Sequence, residues 1–184
     1  MKNYKKNLEL LSKNYVYSKE MEHDACGVGV IVSTEGKKSR EIVEHGIEAL
    51  KAVWHRGAVD ADGKTGDGAG IHVEIPKDFF IEKIEITGHD YDNAEICVGM
   101  IFLPRNDYSA QESCKTIVES ELTKNNFSIY GWRQVPVNPK ILGQKALQTM
   151  PEIIQVLFKS NDQNLLDKDL ERKIYETRKK IEKK

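Results

Sequence analysis

The chain has 184 residues, and its 28 lysines and arginines nearly balance its 29 aspartates and glutamates, for a formal net charge of −1. This balance provides no general field for neutralising phosphates, so nucleic acid is not an expected partner. The longest apolar runs have the length of a strand, whereas a membrane helix needs about 20 apolar residues, so no membrane span is expected. Three cysteines cannot all pair, and the chain start lacks the apolar core of a secretory signal, which favours a reducing cytoplasmic location.

The chain changes character at Cys26. Residues 1–25 are rich in charge and poor in large apolar side chains, which predicts a solvated leader. The sequence CGVGVIV then combines glycines with β-branched residues and is typical of a buried strand. We therefore expect the folded domain to comprise residues 26–184.

A helix and a glycine-rich loop are predicted next. From Ser39 to near Gly57, apolar side chains recur every three or four residues, which indicates an amphipathic helix. The stretch DADGKTGDGAG, residues 60–70, has the small polar composition of a loop. Alternating apolar side chains at residues 71–75 then predict a strand.

The second half of the chain contains clear strand and helix patterns. A continuous apolar run at residues 96–103 predicts a central strand. Ser109-x-x-Glu112 has the form of a capping box and predicts a helix start. Further strands are expected at residues 127–137 and 153–158.

The last predicted helix carries one apolar stripe, formed by Leu166, Leu170, Ile174 and Ile181. No later residue is available to cover this stripe, which indicates an incomplete domain or a missing partner. Strands outnumber helices in this interpretation, and their order does not alternate as in a doubly wound sheet. The sequence therefore predicts an α+β fold, with helices layered on sheets.

Cys26 is the candidate nucleophile. The glycines that follow it leave the sulfur uncrowded, but a thiol needs a base or a positive field to react near neutral pH. Cleavage before Cys26 would free an α-amino group with a pKa of about 7.7–8.0, which is a base within the same residue. The alternative is a small buried residue at the start of a strand. Cys97 and Cys114 are expected to pack in the core.

Arg56 is the candidate cationic partner. It lies in the sequence HRG after the first predicted helix, where its guanidinium could approach an anion or a thiolate. The alternative is that His55 and Arg56 are basic residues favoured at a helix C-terminus by the helix dipole.

The glycine-rich loop fits neither a nucleotide-binding nor a calcium-binding pattern. A phosphate-binding loop needs a glycine where this chain has Ala58, and a calcium loop needs an oxygen ligand where it has Lys64. The histidines and cysteines have no metal-ligand spacing, so no metal is expected. The glycines favour tight backbone geometry beside a site, or a plain surface loop.

Five segments, in this order, closely resemble the glutaminase domain of the glutamate synthase large chain, a class II glutamine amidotransferase. The resemblance extends from about Glu22 to the end of the chain. The segments are EHDACGVG, HRGAVDADGKTGDGAG, IPKDFF, YGWRQVPVNPKILGQKALQTMPEIIQVLF and DLERKIYETRKKIE.

The resemblance implies an N-terminal nucleophile hydrolase fold, a four-layer αββα sandwich of two antiparallel sheets between helices. It implies that residues 1–25 are a propeptide whose removal makes Cys26 the first residue. Cys26 would attack the side-chain amide of glutamine, and a γ-glutamyl thioester and ammonia would form before water releases glutamate. Arg56 would stand near this nucleophile.

The resemblance also implies that parts of the site are missing. The family's oxyanion hole uses an Asn-Gly pair, and the 184 residues contain no Asn-Gly dipeptide. We expect the front segment of such a domain, inactive alone, with glutamine as substrate and possible completion by a second polypeptide. No cofactor is expected in this segment, because the FMN and iron–sulfur clusters of the family belong to other parts of its enzymes. A non-catalytic binding or regulatory module is the alternative.

Overall fold

The computed structural model describes residues 27–53, 57–162 and 165–184, together with positions 6, 10 and 13. The chain forms two compact units, residues 1–57 and 58–184, and each is treated by itself. Within the described residues helices outnumber strands, contrary to the prediction, and the mixture is of the α+β class. The elements are α1 (Arg40–Ala52), α2 (Lys77–Ile86), β1 (Cys97–Leu103), α3 (Tyr108–Lys124), β2 (Phe127–Gln134), a 3₁₀ turn (Pro139–Ile141), α4 (Gln144–Thr149), β3 (Glu152–Ser160) and α5 (Asp167–Ile181).

The first unit contains the predicted amphipathic helix but not the predicted strand. Helix α1 begins after Ser39, whose hydroxyl accepts a hydrogen bond from the Ile42 N–H at 3.4 Å. The strand expected at the start of the domain is wrong for residues 27–32, which form no strand. Val28 and Val30 are 89% and 79% exposed, because β-branched residues favour a strand only where a neighbouring strand and a packing surface exist.

Three antiparallel strands of the second unit form one sheet in the order β1, β3, β2. The prediction that β1 is a central strand is wrong for the described residues, where β3 is central and β1 lies at an edge. Both neighbours form hydrogen bonds with β3, and Cys97 of β1 lies opposite Phe158. The β2–β3 register shifts between Ile129 and Gly131, where the extra residue forms a bulge.

Helices cover both faces of the central strand. Side chains alternate along a strand, so the consecutive residues Val156 and Leu157 enter two different cores. Both side chains are essentially fully buried, and each such burial contributes about 1.5–3 kcal/mol to folding. The core beneath α3 and α5 contains Cys97, Val118, Leu122, Phe127, Val156 and Phe158, and the core beneath α2 contains Phe80, Ile84, Ile96, Tyr130 and Leu157.

The apolar stripe of α5 is covered, contrary to the prediction. Leu170, Ile174 and Ile181 pack against the core shared with α3, and only Leu166, before the helix, is 72% exposed. Helix α5 lies beside α3, and its stripe faces the core that both helices share with the sheet. The stripe therefore provides no argument for a missing partner.

Two further local predictions need correction. The alternating residues 71–75 form no strand, and Ile71 and Val73 are each 45% exposed, since no described strand pairs with them. Helix α3 is capped by Asp107 rather than Ser109: the Asp107 carboxylate accepts from the Ala110 N–H at 2.9 Å. Helix α2, within the IPKDFF segment and beyond, was not predicted as a helix.

Candidate functional site

The predicted catalytic residues fall where the structure gives no description. Cys26, His55 and Arg56 all lie outside the described residues. The proximity of Cys26 and Arg56 therefore stays a prediction. The described residue after Cys26 is Gly27, which is exposed; apart from its chain neighbours, no described residue has a heavy atom within 4 Å of the position a Cβ would occupy.

The glycine-rich segment after Arg56 folds into a closed loop, residues 58–67. At its base, the Asp67 N–H donates to the Ala58 carbonyl at 3.2 Å, and the Ala58 N–H donates to the Asp67 carboxylate at 2.8 Å. Val59 and Gly66 form an antiparallel bridge directly inside this pair. The loop ends are therefore joined by backbone and side-chain hydrogen bonds.

Asp62 organises the tip of the loop. One carboxylate oxygen accepts from the N–H groups of Lys64 and Thr65, at 2.9 and 2.7 Å, and the other accepts from the Thr65 hydroxyl at 2.6 Å. Gly63 between them adopts a φ of +67°, in the left-handed region that favours glycine. The Thr65 hydroxyl, followed by these N–H groups and that of Gln144, holds the pKa of Asp62 well below its ordinary value.

The loop also contacts a segment distant in sequence. A Cβ at Gly143 would lie 2.1 Å from the Thr65 hydroxyl oxygen and 2.3 Å from an Asp62 carboxylate oxygen. Lys145 forms an ion pair with Asp60. Gly143 and Lys145 were not predicted as loop contacts, because no local pattern shows that residues this distant in sequence will meet.

The loop carboxylates are engaged in structure rather than in chemistry. An Asp62 carboxylate with a depressed pKa and three hydrogen-bond donors is a poor general base. In the described ranges 27–53, 57–162 and 165–184, no group of three or more His, Cys, Asp and Glu residues is placed to hold a metal ion.

The two cysteines of the second unit differ in burial. Cys97 is 5% exposed, and burial, with a smaller effect of Glu95, raises the pKa of its thiol to about 12. This thiol is inert near neutral pH, in agreement with its predicted place in the core. Cys114 is half-buried on α3.

A network of titratable groups fixes the segment after α2 to the sheet. The Tyr130 hydroxyl donates to an Asp92 oxygen at 2.6 Å, and Lys159 forms an ion pair with the other oxygen. Lys159 also lies 5.3 Å from the centre of the Tyr130 ring. Lys159, then the Tyr130 hydroxyl, lowers the pKa of Asp92 to about 2, and burial raises the pKa of Tyr130.

A cleft of about 510 Å³ opens between the N-terminal part of α3 and the sheet. Leu103 and Ile154 belong to its apolar lining, and Trp132 and Lys115 to its polar lining. Lys115 is ion-paired with Glu112 at 2.8 Å, and the cleft contains no cysteine. The cleft therefore lacks the thiol that the predicted chemistry requires.

No helix among the described residues combines the length and apolar character that crossing a bilayer requires.

The α+β fold and the sequence from Cys26 onwards together indicate which protein family the chain belongs to. The chain belongs to the class II glutamine amidotransferases, whose family pattern matches residues 26–184. This family is one of N-terminal nucleophile hydrolases, and its substrate is glutamine. The first residue of the match is Cys26.

Individual relatives confirm the resemblance to glutamate synthase. The chain is 51% identical over 180 residues, 98% of its length, to the glutamate synthase (NADPH) large chain of Azospirillum brasilense. It is 41% identical over 162 residues, 88% of its length, to ferredoxin-dependent glutamate synthase 1 of Arabidopsis thaliana. It is 39% identical over 175 residues, 95% of its length, to ferredoxin-dependent glutamate synthase of Pyropia yezoensis. The matched parts span only 12%, 10% and 11% of these three relatives.

Proposed function

We propose that this chain supplies the nucleophile-bearing segment of a domain that hydrolyses glutamine to glutamate and ammonia. The observation that carries the proposal is the family match, because it begins at Cys26. In the reaction, the Cys26 sulfur bonds to the carboxamide carbon, and the carbon–nitrogen bond then breaks to release ammonia. Water attacks the resulting thioester, which yields glutamate and restores the thiol.

The base in this proposal is the α-amino group of Cys26 itself. Residues 1–25 act as a propeptide, and their removal frees this amine, whose pKa of about 7.7–8.0 suits proton transfer near neutral pH. The amine accepts the thiol proton during attack and delivers it to the departing ammonia. The described residue that follows, Gly27, is exposed and has no side chain to block the approach of a substrate.

Arg56 is the proposed electrostatic partner of the thiolate. A guanidinium near the sulfur favours the charged form, and each lowered unit of thiol pKa corresponds to about 1.4 kcal/mol. Neither described thiol is a competing candidate for the nucleophile, because Cys97 is buried with a raised pKa and Cys114 is half-buried within a helix.

The proposed biological role is glutamate synthesis. The relatives are named glutamate synthases, and the chain matches a small part of each. We propose that the ammonia released by this domain is consumed by a synthase activity outside the 184 residues. The oxyanion donors are also proposed to come from outside this sequence, so the chain alone turns over glutamine slowly or not at all.

We further propose that the observed sheet is one of two in a four-layer sandwich. Helices α3 and α5 cover one face completely enough to bury Phe127 and Phe158. The opposite face carries α2 at one end, while Met100 and Phe102 remain 47% and 63% exposed on β1. A second sheet against this apolar surface would complete the sandwich.

The experiment uses covalent labelling, which needs only the first chemical step. The purified chain is first weighed by mass spectrometry to determine its N-terminus. It is then treated with a glutamine analogue that carries a diazoketone in place of the carboxamide. We expect a single adduct on Cys26 of a chain that begins at that residue, and no adduct in Cys26→Ala.

Variants of the two other cysteines test whether the labelling is specific for Cys26. Cys97→Ser and Cys114→Ser should label as the parent does, and excess glutamine should protect Cys26. An intact Met1 chain that resists the analogue under all conditions would contradict the proposal and favour a non-catalytic module.

A further inference from the structure

The cleft between the N-terminal part of α3 and the sheet is lined by more positive than negative side chains. Its charged lining residues are Arg105, Lys115, Arg133 and Glu152. The Arg133 guanidinium donates to the Gln155 amide oxygen at 2.6 Å, and this neutral partner does not cancel its charge. Glu152, the one carboxylate of the lining, accepts from the Gln134 amide. The cleft therefore favours an anionic ligand.

Arg105 is the cation of the cleft most available to a ligand. It is exposed, in the turn between β1 and α3. Within the described ranges its guanidinium takes part in no hydrogen bond or ion pair, and only its backbone carbonyl is engaged, by Gln111. Lys115, by contrast, is ion-paired with Glu112 at 2.8 Å. A free guanidinium can bind a carboxylate or a phosphate through two parallel hydrogen bonds.

Gln111 adds a hydrogen-bond acceptor to the same cleft. Its side-chain nitrogen donates to the carbonyls of Pro104 and Arg105, at 2.7 and 3.2 Å, which holds the turn that carries Arg105. Gln111 is only 8% exposed, yet its amide oxygen accepts no hydrogen bond from the described residues. Every fully buried side-chain nitrogen or oxygen in the described ranges has a partner, so this oxygen is accessible. Because Gln111 lines the cleft, a donor on a ligand there can reach the oxygen.

The rest of the lining offers carbon surface. The Trp132 indole N–H donates to the Glu119 carboxylate at 2.7 Å, which uses the only polar group of that side chain. Leu103 and Ile154, 3% and 7% exposed, add aliphatic surface. A flat ring can pack against such a surface. The volume of about 510 Å³ lies within the range of small-molecule sites.

We propose that this cleft binds a small organic anion whose acid group is joined to a flat ring with an N–H donor. Arg105 binds the acid group, the Gln111 amide oxygen accepts from the ring donor, and Trp132 packs against the ring. A purine nucleoside monophosphate has this composition. Glutamine has no ring and no net charge, so the inference concerns a different ligand and does not depend on the proposed function.

The test measures binding of AMP to the full 184-residue chain. Isothermal titration calorimetry gives the Kd, and the indole N–H signal of Trp132 in nitrogen-15 spectra gives the place of binding. The chain has two tryptophans, so Trp54→Phe identifies that signal. We expect saturable binding with a Kd of about 1 mM or tighter, and a shift of the Trp132 signal that saturates with it.

Parts of the ligand test each contact without changing the protein. Adenosine lacks the acid group and inorganic phosphate lacks the ring, so each should bind at least about tenfold more weakly than AMP. Purine riboside 5′-monophosphate lacks the exocyclic amine and should bind about fivefold more weakly, because the Gln111 oxygen then loses its donor.

A matched pair of variants tests the role of Arg105. Arg105→Gln should raise the Kd for AMP by about tenfold, since a charge-assisted hydrogen bond is lost. Arg172→Gln removes the same charge from α5, where the side chain is 79% exposed and outside the cleft. It should change the Kd by less than about twofold at physiological salt.

Four results would overturn the inference. They are the absence of saturable AMP binding, binding that leaves the Trp132 signal unshifted, equal affinity of Arg105→Gln and the parent, and affinity for adenosine or inorganic phosphate that equals that for AMP. If circular dichroism shows that Arg105→Gln does not fold as the parent does, the ligand comparisons on the parent chain decide. Equal binding of AMP and purine riboside 5′-monophosphate would remove the role of Gln111 and with it the required ring donor.

Discussion

Gly131 and Thr87 are in close contact at the bulge of β2. A Cβ at Gly131 would stand 2.8 Å from Thr87 Cγ2, and Gly131 has a φ of +151°. The Thr87 hydroxyl lies 2.8 Å from the Tyr130 carbonyl and 2.6 Å from the Ile84 carbonyl. This contact joins the end of α2 to the sheet.

Gly131→Ala should lower the free energy of unfolding by about 2–3 kcal/mol, because the new methyl group meets both steric overlap and an unfavourable φ. Urea unfolding followed by circular dichroism measures the change. Gly68→Ala, with open space around its Cα, should change the unfolding free energy by less than about 1 kcal/mol. Equal stabilities of the two variants would contradict the proposed clash.

Replacing each of two leucines by alanine compares the stability contribution of a buried side chain with that of an exposed one. Leu157→Ala should destabilise the chain by about 3–4 kcal/mol, because its side chain is fully buried in the core beneath α2. Leu166→Ala should cost less than about 0.5 kcal/mol, because that side chain is 72% exposed. Urea midpoints of both variants against the parent give the comparison, and a cost below 1 kcal/mol at Leu157 would refute the two-sided burial of β3.

The finding that Asp107, rather than Ser109, caps α3 can be tested directly. Asp107→Ala removes the acceptor of the Ala110 N–H and should cost about 1 kcal/mol of folding stability. Ser109→Ala should change the stability by less than about 0.5 kcal/mol, since Ser109 lies within the helix and is exposed. Thermal or urea unfolding of the pair decides between them. A larger cost at Ser109 would restore the capping-box prediction.

Asp92 should make a pH-dependent contribution to stability. Its pKa in the folded chain, about 2, lies below its ordinary value of 3.8, so the ionised group stabilises the fold above that value. The contribution is lost as pH falls from about 4 to about 2, and solvent screening keeps it below about 1 kcal/mol. Asp92→Asn should therefore have a lower urea midpoint than the parent at pH 6, and the gap should narrow below pH 3. A gap of constant size across this range would contradict the ion pair with Lys159.

Cys97 should resist alkylation in the folded chain. Its buried thiol, with a pKa raised to about 12, is protonated near neutrality and reaches the reagent only on unfolding. At pH 8, iodoacetamide should label Cys114 before Cys97, and urea should equalise the two rates. Rapid labelling of Cys97 without denaturant would show that the core opens locally.

Local patterns predicted most of the long elements. The spacing of apolar side chains located α1 and α5, and a helix-start pattern located α3. A continuous apolar run located β1, and strand-like sequences at residues 127–137 and 153–158 located β2 and β3. These patterns are reliable because each element must present an apolar face to something. They do not specify what that face meets, which is why the α5 stripe was expected to lie uncovered and β1 to be central.

The candidate site was likewise predicted only in part from the sequence. The five segments that resemble the glutaminase domain, taken in their order along the chain, were enough to predict the family, which the comparison confirmed over residues 26–184. The contact of Gly143 with Thr65 could not be predicted, since neither residue carries a local signal for the other.

The sequence by itself determined the family, the apolar faces of the long helices and the strands of the sheet, because these depend on residue identity and short-range periodicity. Only the tertiary structure decided that β3 lies between its neighbours, that residues 71–75 form no strand, and that the glycine-rich loop docks against Gly143. Strand pairing and loop docking join residues far apart in the chain. Their outcome depends on which surfaces meet, and no local window of sequence contains that information.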